Sequence, residues 1–205
     1  MRKKILDLCG GTGAWSKYYK LAGYDVEVVT LPDNDVRTFI PPPDVHGVLA
    51  APPCDQLSFV LSEKISRDIE GALEIVRACQ RIVEACGPSL AWWALENPIG
   101  HLCRYLGAPQ FVFQPWEFGD PWTKRTGIWG KFKAPVKTFM DWGNVHKNEA
   151  LYIRKPRKKP NMVWLHKSAY DLIPAYHDLP RPTTDAAFRA MTPQGFARAF
   201  FEANP

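Results

Sequence analysis

Directly after the apolar run Gly47-Val48-Leu49-Ala50 the chain reads Ala51-Pro52-Pro53-Cys54-Asp55-Gln56-Leu57-Ser58. A short unbroken apolar run of this kind reads as a strand of a parallel sheet buried on both faces. Two prolines in a row fix φ and withhold two backbone N–H groups, so the chain must leave the sheet there in a stiff turn. In an open α/β sheet the region past a strand's carboxyl end is the ligand crevice. Cys54 is therefore expected at a crevice edge, presented rather than buried, where a low-pKa thiolate can be held for attack. On this stretch alone the plainer reading, a small hydrophobe packed beside a turn, stays open.

Other strand ends follow the same plan. Lys4 to Cys9 reads as a first strand, followed at once by Gly10-Gly11-Thr12-Gly13 and a helical stretch from Ala14 to about Leu21. Strand, glycine turn and helix together let backbone N–H groups approach a ligand closely. Asp7, at the strand end, can meet a cationic ligand group. The spacing is not the GxGxxG of dinucleotide sites, whose third glycine would fall at Ser16. Asp25 to Thr30 gives a second strand, but Thr30-Leu31 occupies the place where nucleoside-binding folds carry an acid for the ribose, and Asp33 and Asp35 come late. Ser58 to Ser66 reads as a mobile loop, and Ile69, Leu73, Val76, Cys79 and Cys86 mark the apolar stripe of a crossover helix over Arg67–Cys86. The next strand, Leu90 to Leu95, runs into Glu96-Asn97-Pro98, which predicts Glu96 just beyond a strand end and in the same crevice as Cys54. A short helix near His101–Leu106, a strand at Phe111–Phe113 and a strand at Gly127–Gly130 follow, with Lys124 and Arg125 at the entrance of the last. From Lys131 to about Ala187 periodicity is lost, leaving an irregular excursion with room for one strand at Met162–Leu165. A proline-started amphipathic helix at Thr192–Phe201 closes the chain.

With 205 residues, 46% apolar and 23% charged, the chain suits one well-buried domain. Its net charge of +5 mildly favours an anionic partner. The run Arg154-Lys155-Pro156-Arg157-Lys158-Lys159, five cations in six residues, is of the kind that tracks a phosphate backbone, or else a solvated loop. Eight tryptophans exceed what a core of this size requires, so some are expected on a crevice or ligand face. Five cysteines without a CxxC pair argue against a disulfide framework and against a metal site. The apolar stretch behind Met1-Arg2-Lys3-Lys4 is too short for a leader or a span, so a soluble protein with no membrane partner is expected.

Taken together, the motifs resemble those of the DNA (cytosine-5)-methyltransferases, most of all the short forms found among phage sequences. Asp7-Leu8-Cys9-Gly10-Gly11-Thr12-Gly13 is similar to the family's S-adenosylmethionine (SAM) turn, Pro53-Cys54-Asp55-Gln56-Leu57-Ser58 to its nucleophile motif, and Glu96-Asn97-Pro98 to its Glu-Asn-Val motif. Lys124-Arg125-Thr126 stands where the family has Gln-x-Arg-x-Arg, and Thr-Pro-x-Gly-Phe at residues 192–196 resembles the segment that closes the SAM pocket. The order is the family's order across nearly the whole chain. The departures are Pro98 for Val, Trp122 and Thr126 for the flanking Gln and Arg, and the missing ribose acid. Only about 55 residues separate the Gly127 strand from the final helix, too few for the family's target-recognition domain.

The resemblance implies a Rossmann-like α/β fold, a mostly parallel sheet with helices on both faces, as one catalytic domain over residues 1–205. About 131–187 would form a reduced recognition-like insertion, and 188–205 the helix closing the SAM pocket. It implies Cys54, Glu96 and Arg125 as catalytic residues. The cofactor would lie on Asp7, Leu8, Cys9, Gly10, Gly11, Thr12 and Gly13, with Trp15, Thr30, Leu31, Asp35, Val36 and Pro52 around it and Asp35 near the adenine. DNA would be held by Ser58, Lys124, Arg154, Lys155, Arg157, Lys158 and Lys159. The implied reaction is methyl transfer to C5 of a flipped-out cytosine through a Cys54–C6 adduct, giving S-adenosylhomocysteine, in the cytoplasm of a bacterial host. Another acceptor (RNA, a nucleotide) and an inactive DNA-binding relative are the alternatives. Recognition would be short, loose or delegated to a partner, and a homodimer is left open.

Overall fold

The computed structural model describes residues 2–59, 66–152 and 159–205. Six strands form one sheet: β1 (Lys4–Leu8), β2 (Asp25–Val29), β3 (Val45–Ala50), β4 (Trp92–Pro98), β5 (Phe111–Phe113) and β6 (Thr126–Lys131), in the order β2-β1-β3-β4-β6-β5. β2, β1, β3 and β4 run parallel, and β6 is antiparallel to both β4 and β5. From β1 the chain builds first to one side, through β2, and then to the other, through β3. The order therefore reverses between β1 and β3, and such a switch point opens a crevice at the carboxyl ends of the two strands.

Helices cover both faces, as expected of a Rossmann-like fold. Side chains alternate across a strand. Leu6, Leu8, Val48, Ala50 and Leu95 accordingly meet Leu73, Val76, Cys79 and Ile82 of α2 (Ile69–Ala85). Ile5, Leu49, Trp92, Ala94 and Ile128 point the other way, onto Tyr19 of α1 (Lys17–Leu21) and Phe196 and Phe200 of α5 (Gln194–Ala203). Both sides of β3 are thus buried, which accounts for its unbroken apolar run. Gly47 is required there because a Cβ would stand 2.2 Å from the Trp92 ring.

β4 is longer than the apolar run suggests. Its parallel pairing with β3 stops at Leu95, yet β6 continues on the other side, pairing Glu96 with Ile128, Asn97 with Gly127 and Pro98 with Thr126. Glu96 therefore lies inside a strand rather than beyond one, although it is past the end of the parallel ladder.

The excursion after β6 contains no strand among the described residues. Met162–Leu165, expected as a strand, instead begins with a 3-10 turn, Met162–Trp164, in which Asn161 Oδ1 accepts the Val163 N–H at 3.0 Å. Only a single bridge, Thr123 to Asn161, links this stretch to another extended segment, so no ladder can form. Packing replaces pairing: Met162, Leu165, Tyr170, Ile173 and Tyr176 join Trp122, Leu151, Phe188 and Met191 in a third buried cluster. Two further short helices are α3 (Cys103–Leu106) and α4 (Asp185–Ala190). No helix among the described residues is long and apolar enough to cross a membrane.

Candidate active site

At the end of β1 three residues, Cys9, Gly11 and Gly13, take left-handed φ of 55°, 54° and 70°. The turn closes over Asp7: a Cβ on Gly10 would lie 2.5 Å from the Asp7 carboxyl carbon, so only glycine fits. Asp7 is fully buried. Its Oδ2 accepts from Ser16 Oγ at 2.5 Å, while Oδ1, Thr12 Oγ1 and Trp15 Nε1 have no partner within the protein. Burial pushes the Asp7 carboxyl up to about 6 against the Ser16 hydrogen bonds, which hold it down. These unsatisfied groups line a cavity of about 260 Å3 together with Cys9, Gly10, Gly11, Thr30, Leu31 and Pro52.

Four of the expected cofactor residues stand outside that lining. Leu8 is in the core and Gly13 serves the turn, its N–H bonded to Gly10 O. Asp35 is taken up by Arg37, whose Nε and NH2 donate to its carboxylate, and Val36 is buried in the core under α2. The cause is Arg81 of α2, whose NH2 donates to Val36 O and Phe39 O at 2.9 Å and draws the segment after β2 towards the helix and away from the crevice.

Past β3, Asn97 Nδ2 donates to Pro52 O at 3.0 Å, tying the Pro-Pro exit to β4. The N–H groups of Leu57 and Ser58 both return to Cys54 O. Cys54 is thereby held half-buried at the crevice, beside Glu96 and Lys124. A low thiol pKa is not what this environment gives. Burial pushes Cys54 up from 9.0, Lys124 pulls it down, and Glu96 and Asp55 add to the rise.

Lys124, expected on the DNA side, is instead part of this cluster: it is buried and its Nζ lies 3.4 Å from Glu96 Oε1. Arg125, expected as the catalytic cation, is exposed. Gln114 Oε1 accepts the Lys124 backbone N–H at 3.0 Å, and Arg125 O receives the Ile99 N–H at 2.9 Å.

A second cavity, of about 450 Å3, shares Cys54 and Lys124 with the first and extends between Ser58, Phe59 and Arg125 on one side and Asn161, Met162 and Arg189 on the other. Thiol and ammonium thus sit where two cavities meet, with the Glu96 carboxyl on the wall of the first and paired to Lys124. Ser58 opens onto the second. Lys159 lies over the rings of Trp116 and Trp142, 4.8 and 5.3 Å from their centroids. Arg154, Lys155, Arg157 and Lys158, and most of the loop after Ser58, lie outside the described residues.

Several lining residues carry no motif: Asn161 and Arg189 at the second cavity, and Arg181, Pro182 and Thr183 at the first. Their positions depend on how the irregular excursion folds back, for which neither period nor spacing gives a signal. Asn97 could have been singled out, since it stands inside the Glu-Asn-Pro motif.

No family model and no curated protein matches the chain. Among solved structures it is similar to a DNMT2 variant from Spodoptera frugiperda, at 16% identity and a TM-score of 0.45, over 76% of this chain and 61% of that one. It is also similar to the Dnmt2 methyltransferase of S. pombe, at 13% identity and a TM-score of 0.42, over 76% and 62%. A third similarity, to the DhpI–SAM–HEP complex, has 13% identity and a TM-score of 0.30, over 63% of each chain. The chain spans about three fifths of the length of the solved structures it resembles.

Proposed function

We propose that this chain is a SAM-dependent methyltransferase that acts on C5 of cytosine in DNA through a covalent Cys54–C6 intermediate. The observation that carries the reading is that Cys54 and Lys124 are shared by two cavities, one over a glycine turn and one open to a larger ligand, with Glu96 paired to Lys124 on the wall of the first.

The first cavity suits the cofactor. A buried carboxylate oxygen without a partner can accept from an ammonium group, the Thr12 hydroxyl is uncommitted, and the turn leaves no Cβ between Gly10 and a ligand. Asp7, Gly10, Gly11, Thr12, Trp15 and Leu31 would hold it there. Bound SAM supplies an electrophilic methyl group.

The acceptor ring supplies the nucleophile only after it has been activated. Cytosine C5 is too weak a nucleophile unaided. The Cys54 thiolate adds to C6, N3 takes a proton from the Glu96 carboxyl, and the electron pair comes to rest at C5 as an enamine. C5 then takes the methyl group as its bond to the sulfonium sulfur breaks, the electron pair leaving with S-adenosylhomocysteine. Loss of the C5 proton to a base, return of the N3 proton and departure of Cys54 as thiolate restore the aromatic ring. Lys124 favours both negative charges, the thiolate before addition and the Glu96 carboxylate after proton transfer. A base inside a duplex cannot reach Cys54, so the target would be flipped into the second cavity.

Methyl transfer from labelled SAM to cytosine-containing DNA and RNA strands tests the proposal. The expected result is 5-methylcytosine in DNA; label found only in RNA, or in an exocyclic amine, would replace the acceptor, and no label in any strand would remove the activity.

A further inference from the structure

Besides the glycine turn, the lining of the first cavity includes Arg181, Pro182 and Thr183, a strap near the end of the excursion, and Ala187, Ala190, Met191 and Thr192 after it. It is held from several sides. Arg181 NH1 and NH2 donate to the two carboxylate oxygens of Asp171 at 2.7 and 2.5 Å, and its guanidinium lies 5.2 Å from the centre of the Tyr170 ring. Lys167 Nζ donates to Thr183 O at 2.6 Å. Lys17, in the helix that follows the glycine turn, donates to Ala175 O at 3.1 Å and pairs with Asp178 at 2.9 Å. The strap itself is thus held by Asp171 and Lys167, and the segment just before it by Lys17.

The charges on that lining are unevenly committed. Lys124 is paired with Glu96 within the cavity wall, whereas the Asp171 partner of Arg181 stands outside it. A guanidinium has five N–H donors, and the Asp171 pair uses two of them. Near the turn the acceptor Asp7 Oδ1 has no partner, so the residues lining the cavity include both a free acceptor and, in Arg181, a cation with donors to spare. That is the complement of a zwitterionic amino-acid group.

Resting on the cofactor reading above, we infer that the Arg181–Thr183 strap is a cofactor-binding element, in which Arg181 receives the carboxylate of the cofactor's amino-acid moiety. The excursion then completes the cofactor site as well as bordering the acceptor cavity. Recognition is of an α-amino carboxylate joined to a nucleoside, and a nucleoside lacking that carboxylate gains nothing from Arg181.

Calorimetric binding of S-adenosylhomocysteine and of 5′-methylthioadenosine, which lacks the amino-acid moiety, separates the cases. R181A is expected to lose about tenfold or more in affinity for S-adenosylhomocysteine, the loss of one charge-assisted contact, and to bind 5′-methylthioadenosine as the unaltered protein does. D171N frees the guanidinium without removing it and is expected to bind S-adenosylhomocysteine at least as tightly. Unchanged S-adenosylhomocysteine binding by R181A, an equal loss of both ligands, or a loss in D171N matching that in R181A would overturn the inference, the last two by making Arg181 an anchor of the strap only. If the unaltered protein binds neither ligand, the cofactor reading itself fails, a result distinct from any change between variants.

Discussion

At the scale of single residues, the proposed chemistry depends on a thiol whose pKa its surroundings raise. Burial raises Cys54 above 9.0, and Lys124 is the group that works against it. Replacing Lys124 by Met removes that pull and strands Glu96 without its cation. The pH profile of Cys54 alkylation should therefore move to higher pH in K124M, and methyl transfer at pH 7.5 should fall by about 100-fold or more, the scale of losing one positioned electrostatic group. R125A should leave the alkylation profile in place, because Arg125 is exposed; a shift in R125A equal to that in K124M would reverse the two roles. Cys54 and Glu96 were legible in the sequence because each follows an apolar run at a proline-stiffened exit. The pairing of Lys124 with Glu96 was not, since two adjacent cations stand at the entrance of β6 and nothing in their order says which one meets the carboxyl.

Among the elements, α5 shows how a helix end can be completed from elsewhere in the chain. Pro193 offers no side-chain cap, and the Gly195 N–H is instead accepted by Asp120 Oδ2 at 2.9 Å. Burial pushes the Asp120 carboxyl from 3.8 up to about 7, although the α5 N–H groups hold it down. A carboxyl raised in the folded state binds its proton more tightly there than when unfolded. Stability from this group is thus full below about pH 4 and declines as pH rises towards 7, by at most about 4 kcal/mol at 1.36 kcal/mol per pKa unit. Asp7, raised to about 6, adds a smaller decline of the same sign. D120N keeps an acceptor without the charge, so its unfolding free energy should vary less than that of the unaltered protein between pH 4 and 7, and exceed it at pH 8. Denaturant titrations at those pH values check this, and an unchanged slope would contradict it. Periodicity made α2 and the parallel strands legible. It could not show that β4 extends through Glu96, because the extension is templated by β6, or that Met162–Trp164 is a turn, because only a neighbouring ladder distinguishes a short apolar run as a strand.

For the whole molecule, the α/β sheet and its crevice followed from strand exits, whereas the part least legible is the excursion. Its order comes from the cluster around Trp122, Tyr170, Tyr176 and Phe188, joined by 3-10 turns that leave no repeat to read. The excursion was expected to bind DNA through its cation run, and Lys159, the described member of that run, rests on Trp116 and Trp142. If the run tracks phosphates, replacing Arg154, Lys155, Arg157 and Lys158 by Ala should weaken DNA binding for every sequence and reduce the log–log salt slope by about four, close to one per lost contact. Affinity and slope that survive the replacement would move the DNA contact to Ser58, Arg125 and the second cavity. The central claim, nucleophilic attack by Cys54 on a cytosine ring, has a direct test: incubation with SAM and DNA carrying 5-fluorocytosine, whose fluorine cannot leave as a cation, followed by denaturation and peptide mapping. The account predicts a denaturation-resistant protein–DNA adduct whose DNA-bound peptide contains Cys54 and which is absent from C54S. An adduct on another cysteine, or methyl transfer by C54S at the unaltered rate, would contradict it.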